Sequence, residues 1–587
     1  MKRSEVKTEY TWDLSDLFPS VLAWEKSFAL ATRALGELAA YKGKLGEANA
    51  LLAMLKKSDD TELMVEKLYV YAKMNTDLDG ANSSYVSLYR RAASLIAAFN
   101  AAVSFVEPEL TILPEETIDR YVYDPALADY DYLLKTIKKN KAHVLSAKEE
   151  MIIARYGEAL SGYKEIFEKI DNVDMPHPKV SDGDKKITLT HGTFSKLLQS
   201  KDRNTRKRAF ATFYKLYESK INTLSACYAS SVKCNNINAS LKNYASAMDA
   251  SMSADDVPAA VYDKLIESVG VALPSLHEYV AYRKDKLGEL HMYDMHVPLF
   301  DTADLGADYE TAFSTVLDAL APLGSSYISM LRTAKRDRWI DVEETENKRG
   351  GAYSWGAYGV HPYVLLNYAG TTHDLFTIAH ELGHAMHSFY SDGAQPQAKA
   401  DYSIFVAEVA STVNEVLVCK YLMKKAGNSE TKKFLLSYYL DMMRTTFFRQ
   451  TMFAEFEKQA HGLDQKGEAL TVDSLSRIYL KLNKKYYGAN VVHDKQIKYE
   501  WARIPHFYNA FYVYKYATGI TSAVTLANSL LTGGEIAVDR YKKFLCSGGS
   551  KSPYNILKDA GVDLATDTPY ETARKEFEET LSQLKNM

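Results

Sequence analysis

Apolar side chains recur at three- and four-residue spacing along most of the chain, the mark of helices that each bury one face. Between residues 21 and 106 this stripe, seen in Leu63, Val65, Leu68, Tyr69, Tyr71 and Ala72, breaks at Gly43 and again near Gly80, so it predicts a run of helices. Ile152, Ile153, Tyr156, Ala159 and Leu160 predict helix over residues 147–170, ended by Pro176 and Pro178. Two long helical stretches are expected at 204–248 and 258–287, with no repeat of fixed period. Alternating β-branched and aromatic residues predict short strands at 186–190, 296–300, 339–342, 351–355 and 363–368. From residue 372 the pattern is helical to the end, apart from loops such as Ser547-Gly548-Gly549-Ser550. That glycine pair lacks the Lys-Ser/Thr spacing of a phosphate loop and reads as a turn. The expected class is mostly α with a small β component.

Composition narrows the functions available. The chain has 587 residues, of which 47% are hydrophobic, ample for a large core. A net charge of −4 gives no reason to expect nucleic acid, and the run Lys201, Arg203, Arg206, Lys207 and Arg208, interrupted by Asp202, reads as a solvated helix face. The N-terminal MKRSEVKTEYTWDLSDLF has no apolar core of a secretion signal. Residues 92–106, the longest apolar run, are shorter than a bilayer span and are interrupted by Ser94, Asn100 and Ser104, so a buried helix is expected and no membrane partner. Cys227, Cys234, Cys419 and Cys546 form no disulfide-like pattern, which points to a reducing cytoplasm.

Candidate chemistry is concentrated in residues 372–388, THDLFTIAHELGHAMHS. On a helix His380 and His384 stack on one face and can aim two imidazoles at one cation, with Glu381 beside them to take a proton from water. A catalytic zinc usually takes a third protein ligand. The metzincin position for it is Tyr390, so a carboxylate from a following helix is required. In the apolar segment 403–421 the acidic residues are Glu408 and Glu415; Glu408, between Ala407 and, two residues on, Ala410, is the preferred ligand, and Glu415 is either the support for a ligand histidine or an ordinary hydrogen-bonded polar residue. His387 shares the metal face but is expected to lie behind the ligands. Asp374 reads as a helix-start charge beside Thr371 and Thr372. Gly383, costly inside a helix, implies that something packs tightly there. Farther on, Pro505 places His506 in a first helical turn, with Tyr508, Tyr512 and Tyr516 expected on one side of the same helix. A catalytic part is expected for His506 and at least one of these tyrosines, as donors to an oxyanion.

Taken with TWDLSDLF, HPYVLLNY before HELGHAMHS, SIFVAEVASTVNE, RIPHFYNAFYVYKYATG and FLCSGGSKSP, the chain resembles the thimet-oligopeptidase (M3) family of zinc metallopeptidases, and most closely its oligoendopeptidase F branch. The resemblance implies a large helical ellipsoid of the zincin type, with a small sheet edge lining a deep central channel. It implies an N-terminal helical region at 1–190 and a catalytic domain at 191–587. It assigns one Zn2+ to His380, His384 and Glu408, the general base to Glu381, and contact with the scissile carbonyl to His506 and tyrosines. It also assigns Gly351, Ala352 and Tyr353 to an edge that pairs with an extended peptide.

The expected activity is therefore zinc-dependent cleavage of internal bonds in short unfolded peptides, with Glu381 activating zinc-bound water and with no obligate protein partner. Two alternatives remain open from the sequence. One is a carboxypeptidase or dipeptidyl carboxypeptidase, for which Arg349 or Arg503 would clamp the terminal carboxylate. The other is a catalytically silent peptide-binding protein, which the intact Glu381 argues against.

Overall fold

Helix is the default local state wherever a 3.6-residue stripe is long enough to bury a face, and 73% of the chain is helical against 4% in strands. The computed structural model describes residues 1–301, 305 and 308–587. Helices α1 (Val21–Leu38), α2 (Ala48–Leu78) and α3 (Ser83–Val103) follow the expected breaks, and side-chain oxygens of Ser20 and Asn82 cap α1 and α3. Strands β1 (Lys179–Asp182) and β2 (Lys185–Thr188) form an antiparallel hairpin with Val180 opposite Ile187. The long helix expected at 204–248 is instead divided. The chain forms α4 (Arg203–Ser219) and α5 (Ile221–Leu241), then turns at Asn243, whose φ is 61°. Helix α6 (Ala259–Leu287) runs through Pro274.

The strand expected at 296–300 does not form. The fully buried Arg283 donates to the carbonyls of Asp294 and Val297 at 3.0 and 2.6 Å, so a side chain takes acceptors that a neighbouring strand would have used. Strands β3 (Ile340–Glu343), β4 (Tyr353–Trp355) and β5 (Tyr363–Tyr368) follow. After them come α7 (Thr372–Ala394), α8 (Ile404–Lys425), α9 (Ser429–Met443), α10 (Arg449–Gln465), α11 (Tyr514–Thr532), α12 (Gly534–Leu545) and α13 (Thr568–Lys585).

The chain groups into two compact units, each assembled from three stretches. The first unit comprises Met1–Val144, Asp304–Tyr421 and Leu526–Gly561. In it α1, α2 and α3 pack on one another, and the buried Trp24 donates its indole N–H to Leu68 O at 2.9 Å. Trp12 of the TWDLSDLF segment meets the ring of Tyr363 edge-on with centroids 6.0 Å apart, which ties the N-terminus to the sheet. The sheet order is β3-β5-β4, with β5 parallel to β3 and antiparallel to β4. Central β5 buries Tyr363, Val364, Leu365 and Leu366, while β4 is an edge strand whose outer side pairs with no strand among the described residues.

The second unit comprises Leu145–Ala303, Leu422–Thr525 and Val562–Met587. Helix α6 lies against α10 and α13, and Tyr262 of α6 donates to Ala454 O of α10 at 2.8 Å. The basic run at 201–208 is not a uniformly solvated face. Arg206 is buried and forked onto Asp294 at 2.7 and 2.9 Å, and Arg203 reaches the same carboxylate. A buried ion pair of this kind consumes the charge that a phosphate would need. Among the described residues no single helix is long and apolar enough to cross a membrane.

Candidate metal and active site

The sheet delivers the chain to α7 in a fixed direction. After β5, Gly370 turns with φ 76°, and Thr371 caps the helix. Asp374 accepts from the Thr371 amide at 2.8 Å and from the Ala369 amide at 3.2 Å, closing a capping box on the first turn. His380 and His384 follow one turn apart. Gly383 faces α8, where a Cβ would lie 2.5 Å from Ser411 Cα and 2.8 Å from Ala410 O; the glycine is what permits the two backbones to approach. Asn414 fastens the same contact by donating to Ala379 O at 2.9 Å.

This approach brings Glu408 of α8 to both imidazoles. His380 Nε2 and His384 Nε2 are 3.1 Å apart, and Glu408 Oε2 lies 3.4 Å from the first and 3.5 Å from the second. A tetrahedral ion bound at about 2.0–2.2 Å separates its donor atoms by about 3.3–3.6 Å, so the three fit a zinc-like cation. Among the described residues it is the one such cluster of His, Cys, Asp and Glu donors. Ser411 Oγ donates to Glu408 O at 3.0 Å and to Oε2 at 3.3 Å, orienting the carboxylate. Nothing in the sequence pattern marks Ser411 for that role.

Glu415, two turns along α8, accepts a hydrogen bond from His380 Nδ1, which orients the ring and leaves Nε2 turned to Glu408. Burial pulls the His380 imidazole down, but hydrogen bonds to Glu408 and Glu415 outweigh it and lift the group to about 10. The same bonds from His380 and His384 hold Glu408 far below the usual carboxylate range. Glu381 is buried; loss of hydration pushes its carboxyl up, against the pull of both histidines. His387 lies behind the ligands, 1% exposed, its ring stacked on Tyr402 at 3.7 Å. Burial, and then His384, depress it to about 3, so it is a neutral packing residue.

The second unit gathers a different group. His506 sits in a 3-10 turn, Pro505–Tyr508, with a hydrogen bond of 3.3 Å between its Nε2 and the Tyr516 hydroxyl. The Tyr512 ring lies parallel to the imidazole at 6.1 Å. The expected stripe of three tyrosines on one helix is not formed, because the chain leaves helical geometry before α11 begins at Tyr514 and Phe511 takes φ 56°. Tyr508 consequently stacks on Phe167 at 4.4 Å, away from the other two in its contacts. Arg503 donates to Glu500 at 2.8 Å and to Tyr214 at 3.3 Å, so its charge is committed internally.

In the first unit, Gly351 turns with φ 86°, and Asn367 of β5 donates to its carbonyl at 2.7 Å, setting the entry to Ala352 and β4. Tyr353 donates to Asp77 at 3.0 Å, and Arg349 lies 3.7 Å from the same carboxylate. Ser354 and Trp355 continue into a cavity of about 480 Å³ that also borders Glu62, Glu66, Asp392 and Asp401. Burial and the neighbouring Asp401 raise Glu66 to about 7, and the same two causes raise Asp392 to about 6. These acids come from stretches more than 300 residues apart, so no local motif announces them.

Known proteins are similar to this chain over its length. The model of peptidase family M3 matches residues 196–576, and one described as Oligopeptidase F matches residues 109–176. Oligopeptidase PepF of Bacillus subtilis is 42% identical over 590 residues, covering 100% of this chain and 88% of that protein. An oligoendopeptidase F homolog of Lactococcus lactis subsp. lactis is 38% identical, covering 100% and 98%. A crystal structure of oligoendopeptidase-F from Enterococcus faecium matches with TM-score 0.74 and 34% identity over 96% of this chain and 98% of that one. A solved chain from Chlamydophila abortus matches with TM-score 0.93 and 33% identity over 99% of each.

Proposed function

The chain belongs to peptidase family M3, and on that premise we propose that it is an oligoendopeptidase that uses one Zn2+, held by His380, His384 and Glu408, to cut internal bonds of short unfolded peptides. The observation that carries the reading is the set of three donor atoms 3.1–3.5 Å apart, with a buried glutamate next to one of the histidines. When bound, the ion supplies Lewis acidity, polarising the scissile carbonyl and acidifying a water. Glu381 takes the proton as the water oxygen bonds to the carbonyl carbon, then passes it to the amine nitrogen as the C–N bond breaks. Its burial keeps bulk water from competing for that proton. Glu415 holds His380 in the ligating tautomer throughout.

His506 with Tyr516 or Tyr512 donates hydrogen bonds to the oxyanion, while Tyr508 serves packing. The substrate backbone adds to the open side of β4, beginning at Gly351, Ala352 and Tyr353, which suits an extended chain and not a folded one. The committed charge of Arg503 removes one of the two clamps that a carboxypeptidase reading requires. The unbridged thiols of all four cysteines support the cytoplasm as its compartment.

Peptides blocked at both ends and graded in length, incubated with wild type and Glu381→Gln with and without chelator, test this. Cleavage of blocked peptides by wild type alone, abolished by chelator, is expected. Full activity of Glu381→Gln would overturn the mechanism, and a requirement for a free C-terminus would overturn the endopeptidase assignment.

A further inference from the structure

Glu457 is a carboxyl group that the reaction does not use, in a place where a carboxyl is expensive. It is 0% exposed in the middle of α10, and burial pushes it well above the usual carboxylate range. One of its oxygens has a defined partner, since Oε1 accepts the Phe511 amide at 3.1 Å. The carbonyl at the other end of that peptide unit, Ala510 O, accepts from Ser251 Oγ at 3.2 Å. A single peptide plane is therefore gripped at both poles, which fixes ψ of Ala510 and φ of Phe511 together.

Phe511 needs such a grip. Its φ of 56° is a backbone state that a bulky L residue keeps only when its surroundings over-determine it. Its ring is 1% exposed, packed on His461, one turn beyond Glu457, at 4.5 Å and edge-on to Tyr262 at 5.6 Å. This strained residue sits between the turn that bears His506 and the helix that bears Tyr516, immediately before Tyr512. A rotation of the 510–511 plane would swing one side of the His506, Tyr512 and Tyr516 group against the other.

We propose that Glu457 is a positioning residue for the reaction: through the 510–511 peptide it holds the imidazole of His506 and the hydroxyls of Tyr512 and Tyr516 in their working arrangement. The inference rests on the reading that His506 and a tyrosine serve the oxyanion. Because the contact is an oxygen accepting the Phe511 N–H, an amide at the same position keeps the acceptor, whereas an aliphatic side chain leaves the Phe511 amide unpaired.

The experiment compares Glu457→Gln, Glu457→Leu, Ser251→Ala and His506→Ala, all loaded with zinc and assayed on an end-blocked peptide. Amide exchange at Phe511 and melting temperature are measured in parallel. Misplacement of reacting groups by about 1 Å costs up to about a hundredfold in rate. Glu457→Leu is accordingly expected to lose about tenfold to a hundredfold in kcat with KM nearly constant, and to lose protection at Phe511. Glu457→Gln is expected to restore both. Should the leucine variant not fold, Ser251→Ala carries the test, with a smaller loss of kcat and the same loss of protection. Full kcat per zinc-loaded Glu457→Leu or Ser251→Ala, or equal losses in Gln and Leu, would overturn the proposal while His506→Ala remains impaired. Full kcat in His506→Ala would overturn the oxyanion reading and this inference with it.

Discussion

Replacing Gly383 by alanine tests whether the spacing of two helices sets metal affinity. The added methyl would start 2.5 Å from Ser411 Cα and 2.8–2.9 Å from Ala410 O and Ser411 N, all backbone atoms of α8 that no side-chain rotation can remove. Ordinary contact requires roughly 1 Å more, so α7 and α8 must part by about that distance, at an overpacking cost of about 1–3 kcal/mol. Alanine returns about 1 kcal/mol of helix propensity, leaving a net loss of stability of about 0–2 kcal/mol. The ligand set is less forgiving. Glu408 rides on α8 while both imidazoles ride on α7, and binding groups tolerate displacements of only about 0.5 Å. A weakening of zinc binding by about tenfold to a hundredfold is expected, comparable to the loss of an outer hydrogen bond. Competition of the apo-protein against a chromophoric chelator measures the affinity, and thermal unfolding of the same apo samples measures the stability. Wild-type affinity in Gly383→Ala would show that α8 is not held at its distance by this glycine, and the account of the triad would fail.

Further expectations can be checked with single variants. Glu415→Gln should weaken zinc about tenfold to a hundredfold in chelator competition, because the amide holds His380 Nδ1 less firmly; unchanged affinity would remove Glu415 from the ligand support. Tyr516→Phe should lower kcat while sparing melting temperature, whereas Tyr508→Phe, which keeps the ring stacked on Phe167, should alter neither by much. Glu66→Gln should be stabilising at high pH. A carboxyl raised to about 7 in the fold contributes stability that is whole below its unfolded value near 4.5 and is lost as pH rises through 7. The variant should therefore gain about 2–3 kcal/mol on wild type between pH 5 and pH 8, read by urea unfolding at both. An advantage that is the same at both pH values would contradict the assigned shift.

Local periodicity carried the metal helix, because His380, Glu381 and His384 are encoded within five residues and a helix has few ways to arrange them. The third ligand proposed for the ion is a different case. Glu408 and Glu415 are separated by two turns of one apolar helix, so pattern alone leaves both facing α7; the small residues near Glu408 favour it, and family likeness settles the choice. Geometry gives them opposite edges of the same imidazole: Glu408 at Nε2 and Glu415 at Nδ1. The tyrosine stripe failed for a physical reason. Spacing of four residues implies one face only if the helix is unbroken, and the break at Phe511 is stabilised by Glu457, a residue 54 positions away. The missing strand at 296–300 has the same origin, since Arg283 satisfies carbonyls that sequence statistics assign to a ladder. Ser411, Asn414 and the acids around the cavity were invisible because each acts across a packing contact.

The way α7 is covered has a consequence for biosynthesis. The Gly548-Gly549 loop presses on the backbone at Lys399–Asp401, Gly549 N–H bonds Lys399 O at 2.8 Å, and Gln395 donates to Cys546 O at 2.8 Å across 151 residues of sequence. Phe544 packs against His387 at 5.2 Å from the same return segment. A ribosome adding about 5–20 residues per second needs roughly 10–30 s to make that stretch after the HELGH helix has emerged. For that interval the helix exists without its late-made cover, and a message truncated before codon 550 would release a chain with every proposed ligand encoded but the back of the HELGH helix open to water and chaperones.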